Sequence, residues 1–242
     1  MRTKNETTQD NGPEANVERR RKQIQKAAIT LFSRRGYHAS TIEDIAKAGR
    51  FSVGLVYRYF KSKEELLFAI ISDVLSAYEK EIPAAIAAAT MPLDRFRAAV
   101  EAYCRVVDKH SDAALMGYRE SKSLSRQRLE LIKRKEIETN RFISNCIEEC
   151  VETAVFRPVD VEMLTYLVVI FVHGWALNAW RLSPPRSVDA YVDDGLRLLL
   201  RDVLAEEKAE EPQERQRNRL VQPRPPARRS AAASRNAAPY GK

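Results

Sequence analysis

Cysteine is scarce in this chain of 242 residues, long apolar runs are absent, and no glycine-rich phosphate loop is present; each shortage removes a class of protein. Three cysteines, an odd number behind no apolar leader, argue against a disulfide framework. Cys146 and Cys150 stand four apart on an expected helix and so share a face, but no further Cys or His lies at ligand spacing. They read as buried structural thiols, and no metal site is expected. The longest apolar stretch, Met163 to Leu177, is short for a bilayer span and contains His173 and Gly174, so the expectation is a cytoplasmic protein with no membrane partner. No nucleophile paired with a base is visible, which leaves an enzyme, including one acting on CoA thioesters, without support and no catalytic residue or cofactor to name.

What is present is enough apolar residue for a proper core, 44%, and an uneven charge. The net +8 divides into −1 over residues 1–16, +9 over 17–63, −8 over 64–214 and +8 over 215–242. A basic front and an acidic body imply different partners, phosphate for the first.

Residues 1–16 are polar and expected to be disordered. From Val17 to Arg35 the apolar positions Ile24, Ala27, Ala28, Leu31 and Phe32 recur at helical spacing, with Gly36 placed as a C-terminal cap. Ser40 or Thr41, with Glu43 or Asp44 to close a capping box, starts a second helix through Ala48. Gly49-Arg50 makes a turn, and Ser52 caps a third short helix. In it Leu55, Val56 and Tyr59 are candidates to pack inward, while Val53, Gly54, Tyr57 and Arg58 are left to face outward. Ser62 and Glu65 open a fourth helix to about Glu81, which Pro83 ends or kinks. The stretch reads as two short helices joined by a tight turn, the second bearing small, aromatic and basic residues where a DNA-reading helix needs them.

The remainder reads as helical: Leu93 to His110, Asp112 to Leu124, Ser125 to Phe156, Val159 to Leu182 and Ser187 to about Lys208, with no strand-like alternation. From Glu210 the composition of Pro, Arg and Ala predicts a disordered basic tail. The expected organisation is a helix-turn-helix domain over 17–63 and a ligand-binding and dimerisation domain over 64–209, flanked by disorder over 1–16 and 210–242.

The run TIEDIAKAGRFSVGLVYRYFKSKEELLFAI closely resembles the N-terminal DNA-binding domain of the TetR family of bacterial repressors. Tyr57-Arg58-Tyr59-Phe60 followed by Lys61-Ser62-Lys63-Glu64-Glu65-Leu66-Leu67 is its most specific part. The resemblance implies an all-α architecture of nine helices, a homodimer paired through the last two, and a double-stranded operator of palindromic form. The departure is at the turn, where the family has glycine and this chain has Arg50.

By the same resemblance Ser52, Val53, Tyr57 and Arg58 occupy positions that touch bases or backbone. Arg58 suits guanine O6 and N7, and Val53 a thymine methyl. Tyr57, Lys63 and Thr41 suit phosphate, and Gly54 permits close approach of the backbone to DNA. Tyr59 and Phe60 read instead as core anchors. A sequence-independent binder driven by basic ends would not need such a shaped helix.

For an effector, Tyr103, Met116, Tyr118, Phe142, Phe171 and Trp175 can supply apolar walls, and His173 can bond either a ligand or a neighbouring helix. From Arg119 to Arg141 eight Lys or Arg stand among four acids, a strip suited to a phosphorylated end of a greasy ligand. The runs GYRESKSLSRQRLELIKRKE and VHGWALNAWRL resemble the C-terminal domain of TetR members that control fatty-acid degradation and answer to acyl-CoA. Arg119 enters the candidate ligand set on that strip. Acidic residues inside the pocket would favour cationic drugs instead, while Arg or Lys at its mouth would favour CoA. Trp175, Trp180 and Leu198 to Leu200, with Gly174, are candidates for the dimer contact.

Overall fold

Each short helix of the basic front is started by a side-chain oxygen placed where the sequence puts it. In the computed structural model, which describes residues 13–182 and 186–205, Thr41 and Asp44 close a reciprocal capping box at the start of α2 (Ile42–Gly49). The Oγ of Ser52 accepts from the Leu55 amide at 3.1 Å to open α3 (Val53–Tyr59), and that of Ser62 accepts from Glu65 at 3.0 Å to open α4 (Lys63–Ala88). The helix before them, α1 (Pro13–Arg35), begins four residues ahead of Val17, so residues 13–16 are helical rather than disordered. Residues 1–12 and the basic tail beyond 205 lie outside the described residues.

Pro83 does not end α4, which continues to Ala88. A mid-helix proline removes one backbone donor. Buried Ile82 before it and the alanine-rich turn after it, strong helix formers, carry the helix on. There follow α5 (Pro92–Lys109), α6 (Ser111–Glu120) with a 3-10 turn at Ser121–Ser123, α7 (Arg126–Glu152), α8 (Val161–Leu182) and α9 (Val188–Leu199). Nine α-helices thus stand among the described residues, as expected. The last ends well short of Lys208. Beyond it the chain turns back, where Arg157 N donates to Val203 O at 2.9 Å and Ala205 N to Val155 O at 3.0 Å. Phe156 and Leu204 form an isolated antiparallel bridge there.

The body is assembled around α5, which packs on α4, α7, α8 and α9 and buries Phe96, Val100, Tyr103, Cys104 and Val107. The front packs Ile24, Phe32, Ile45, Val56 and Phe60 into the same continuous core, and α4 runs through the expected domain border at 63/64. All three cysteines are free and buried, and burial pushes their thiols up to about 12, 11 and 12 for Cys104, Cys146 and Cys150, so they are inert packing groups.

Within α8, the 18 residues Val161–Asn178 have mean hydropathy 1.4 and are long and apolar enough to cross a membrane by length and composition, contrary to the expectation for this stretch. Here that apolarity serves two sides of one helix. Val168, Val172 and Trp175 are buried in the protomer, while Met163, Leu167, Ile170, Leu177 and Trp180 form an uncovered stripe at spacings of three, four and seven. Of the candidate contact residues, Trp180 and Leu198 are exposed, whereas Trp175 and Leu200 are buried inside the protomer. A Cβ on Gly174 would lie 3.1 Å from the Tyr191 hydroxyl, so its close approach is to α9 of its own chain.

Candidate nucleic-acid interface and effector cavity

The outer face of α3 presents Gly54, Tyr57 and Arg58 to solvent, with Ser52 exposed at its cap and Val53 half-buried against the core. Val56 and Phe60 point inward and are fully buried, while Leu55 and Tyr59 are half-buried. Thr41 is exposed at the start of α2. A Cβ on Gly54 would meet nothing within 4 Å, so no packing contact in the protomer requires glycine there. From α1, Arg21 donates to Tyr59 O at 3.3 Å and stands 4.6 Å over the Phe60 ring, which fixes the far end of the reading helix.

The turn explains the departure at Arg50. Arg50 takes the left-handed conformation, φ 58° and ψ 42°, at a cost of about 1 kcal/mol for a residue with a Cβ. The glycine is needed one place earlier, because a Cβ on Gly49 would lie 2.1 Å from Cε2 of the Phe51 ring folded over it. Lys63 requires correction as a phosphate ligand. Its ammonium donates to the carbonyls of Tyr37 at 2.9 Å and Ser40 at 2.8 Å, with His38 O at 3.4 Å, and lies 4.4 Å over the Tyr37 ring. It ties the loop before α2 to the start of α4 and is not a free cation.

A cavity of about 340 Å³ lies in the body between α4, α5, α6, α7 and α8. Ile71, Val74, Leu75, Ala113, Val169 and Ile170 form its apolar wall. Of the expected ligand residues Tyr103 and His173 line it, as does Tyr118. The other five do not. Met116 and Arg119 line a separate cleft against Phe32 and Tyr37 of the front. Phe142 packs half-buried against the core. Phe171 stacks on Tyr191 with centroids 4.5 Å apart and fills the space over Gly195, and Trp175 donates its indole N–H to Asp108 Oδ1 at 2.7 Å. Sequence reasoning missed Tyr78, Glu136, Asn140 and Tyr166. Tyr78 was findable, since Ile71, Val74, Leu75 and Tyr78 share one helical face.

The histidine and the buried tyrosines of the cavity are neutral. His173 takes the Tyr103 hydroxyl on Nε2 at 3.1 Å and the Tyr118 hydroxyl on Nδ1, and burial pushes its pKa down to about 4. The ring is therefore uncharged near neutral pH, one nitrogen donating and the other accepting. Burial raises the Tyr118 phenol to about 12 and that of Tyr103 well above its ordinary value. At the rim, desolvation raises the Glu136 carboxyl above the usual carboxylate range. Among the described residues, no Lys or Arg lines the cavity and the buried Oδ1 of Asn140 has no hydrogen-bond partner.

A capped short helix with an exposed Tyr-Arg face, carried on an all-helical body with a cavity, defines a helix-turn-helix protein. The family description "Bacterial regulatory proteins, tetR family" matches residues 24–70, and "Tetracyclin repressor-like, C-terminal domain" matches residues 89–203. The HTH-type transcriptional regulator HbdR of Aromatoleum sp. (strain CIB) is 44% identical over 188 residues, 78% of this chain and 82% of the relative. A bacterial regulatory protein in the tetR family from Rhodococcus RHA1 superimposes with TM-score 0.71 at 27% identity, over 77% of this chain and 97% of its own. AibR in complex with isovaleryl coenzyme A and operator DNA shares the fold, with TM-score 0.64 at 20% identity over 74% of this chain and 97% of its own. The chain belongs to the TetR family and is a DNA-binding transcriptional regulator.

Proposed function

We propose that this regulator is a homodimeric repressor of a palindromic operator, released when the acyl end of an acyl-CoA fills the cavity. The observation that carries the effector is the absence, among the described residues, of Lys and Arg from the lining of a largely apolar cavity whose buried tyrosines and histidine are neutral. A free acid would bring in a carboxylate with no counter-charge, at a cost of several kcal/mol. A thioester carries the same acyl group without charge, and its carbonyl accepts a hydrogen bond from a phenol, while the unpaired Asn140 oxygen accepts from any donor on the chain. The charged CoA portion stays outside. AibR, similar in fold, takes isovaleryl coenzyme A.

The dimer follows from the uncovered α8 stripe, which pairs with its own copy in a protein that must place two α3 helices about 34 Å apart on DNA. A regulator of this kind works in the cytoplasm, where its operator is. Glu136 favours a second reading, a cationic drug, because a carboxyl among the lining residues can pair with a ligand ammonium.

The test is fluorescence anisotropy on the DNA upstream of the protein's own gene, at fixed salt, titrated with acyl-CoAs of increasing size. Release by acyl-CoA at concentrations where free CoA and the free acid do nothing is the expected result. Release by a lipophilic cation alone would select the drug reading.

A further inference from the structure

Beside the base-reading face lies an open groove of about 520 Å³ between α1 and the turn into α3. Arg20, Lys26 and Arg50 line it together with Gln23, Thr30 and the ring of Phe51, and among the described residues no Asp or Glu lines it. Two observations set this groove apart from an ordinary solvated charge run. The first is the conformation of Arg50, held at φ 58° by the turn although a glycine would sit there without strain. Its amide closes α2 by donating to Ala46 O and Lys47 O, a bond glycine would make equally well, while its guanidinium makes no hydrogen bond or ion pair among the described residues. The second is convergence. The ammonium of Lys26 likewise has no partner among the described residues, and Arg20 donates only to its neighbour Gln23, at 2.9 Å. By contrast Arg21, Lys22 and Lys63 on the surrounding elements are tied to Tyr59 O, Asp73 and the Tyr37–Ser40 carbonyls.

We propose that this groove is a backbone-phosphate site for the operator, in which Arg50, supported by Lys26 and Arg20, holds the DNA strand that borders the major groove where α3 enters. Arg50 stands two residues before the α3 cap Ser52, so a phosphate gripped there fixes the register and depth of the reading helix. The ligand chemistry is a phosphodiester, read without regard to base. The proposal rests on the helix-turn-helix reading.

Arg50→Gly is the informative variant. Glycine adopts the left-handed turn freely, so the unfolding midpoint stays the same or rises, and lost binding is not lost folding. A palindromic duplex is first selected from a random library by the wild-type protein, and binding is then measured against salt on that duplex and on a shuffled one. Arg50→Gly should make the slope of log K against log salt shallower by about 0.9 and weaken both duplexes by a similar several-fold factor. Lys26→Gln should do the same, and Arg50→Lys should retain most of the slope. An unchanged slope in both Arg50→Gly and Lys26→Gln overturns the proposal, as does a loss confined to the selected duplex, which would make Arg50 a base reader. A wild-type protein that selects no duplex would overturn the underlying reading, and that failure is seen before any variant is made.

Discussion

The phenol of Tyr103 on α5 lies 3.1 Å from Nε2 of His173 on α8, and with Tyr118 of α6 on the other ring nitrogen it joins three helices at one neutral imidazole. The arrangement is a wall of the cavity and a packing joint at once. A ligand that enters must therefore displace or extend a bond network that also sets where α6 and α8 sit.

The pH dependence of stability follows from that imidazole. Folding lowers its pKa from the ordinary 6.5 to about 4, so between these values the unfolded chain binds a proton that the folded chain refuses. The contribution to stability is full above about 6.5 and is lost as pH falls toward 4, by at most about 3 kcal/mol. His173→Gln keeps hydrogen-bonding capacity but does not titrate. Urea unfolding from pH 7.5 to 4.5 should show a steeper decline for the wild type than for the variant. Parallel curves would mean that His173 is solvated and ordinary.

Lys63 gives the second prediction. Its ammonium is spent on the carbonyls of Tyr37 and Ser40, and hydrogen bonds of a charged donor contribute about 1.5–3 kcal/mol. Lys63→Met should lower unfolding stability by roughly 2 kcal/mol. The salt dependence of operator binding should not change. A slope shallower by about one phosphate contact, with stability intact, would restore the role that the sequence suggested.

What was legible in the sequence was whatever a few neighbouring residues decide. Thr41, Ser52 and Ser62 cap their helices where expected because a cap is a contact three residues long. Gly54, Tyr57 and Arg58 of the outward set on α3 were legible for the same reason, since Val56 and Phe60 leave them no other side, whereas Val53 of that set lies half-buried against the core. The cavity was only half legible. On α8 almost every position is apolar, so nothing local says that Phe171 turns to Tyr191, Trp175 to Asp108 and His173 to Tyr103; the packing of α5 and α9 decides it. Met116 and Arg119 were misplaced likewise, because α6 gives one side to the cavity through Gly117 and Tyr118 and another to the front. Lys63 carries a charge whose partners are backbone carbonyls over twenty residues away, which no side-chain pattern reveals.

Gly54 separates folding from binding. A Cβ there meets nothing within 4 Å, and glycine inside a helix costs about 0.5–1 kcal/mol relative to alanine. Gly54→Ala should therefore stabilise the protein by about that amount in urea unfolding. The same methyl would stand on the face that enters the groove, and operator affinity should fall about tenfold, the size of one lost groove contact. A variant that is more stable and binds as well would show that α3 does not bring its backbone close to DNA at this position.

The uncovered stripe of α8 carries the last prediction. Leu167 is 44% exposed, does not line the cavity and lies in the row formed with Met163, Ile170 and Leu177. A carboxylate there costs the free protomer little, because the position is already in water. In a self-pairing interface each copy would bury that charge against its twin, and repulsion adds to desolvation. Leu167→Glu should raise the dimer dissociation constant by at least about 100-fold, a few kcal/mol. Sedimentation velocity at micromolar protein should then show a folded monomer with the same helical circular dichroism as the wild type. Binding to a full palindrome should weaken toward that of a half-site, because the second reading helix no longer arrives tethered to the first. A variant that remains dimeric would place the interface on another face, and the apolar stripe would need a different partner.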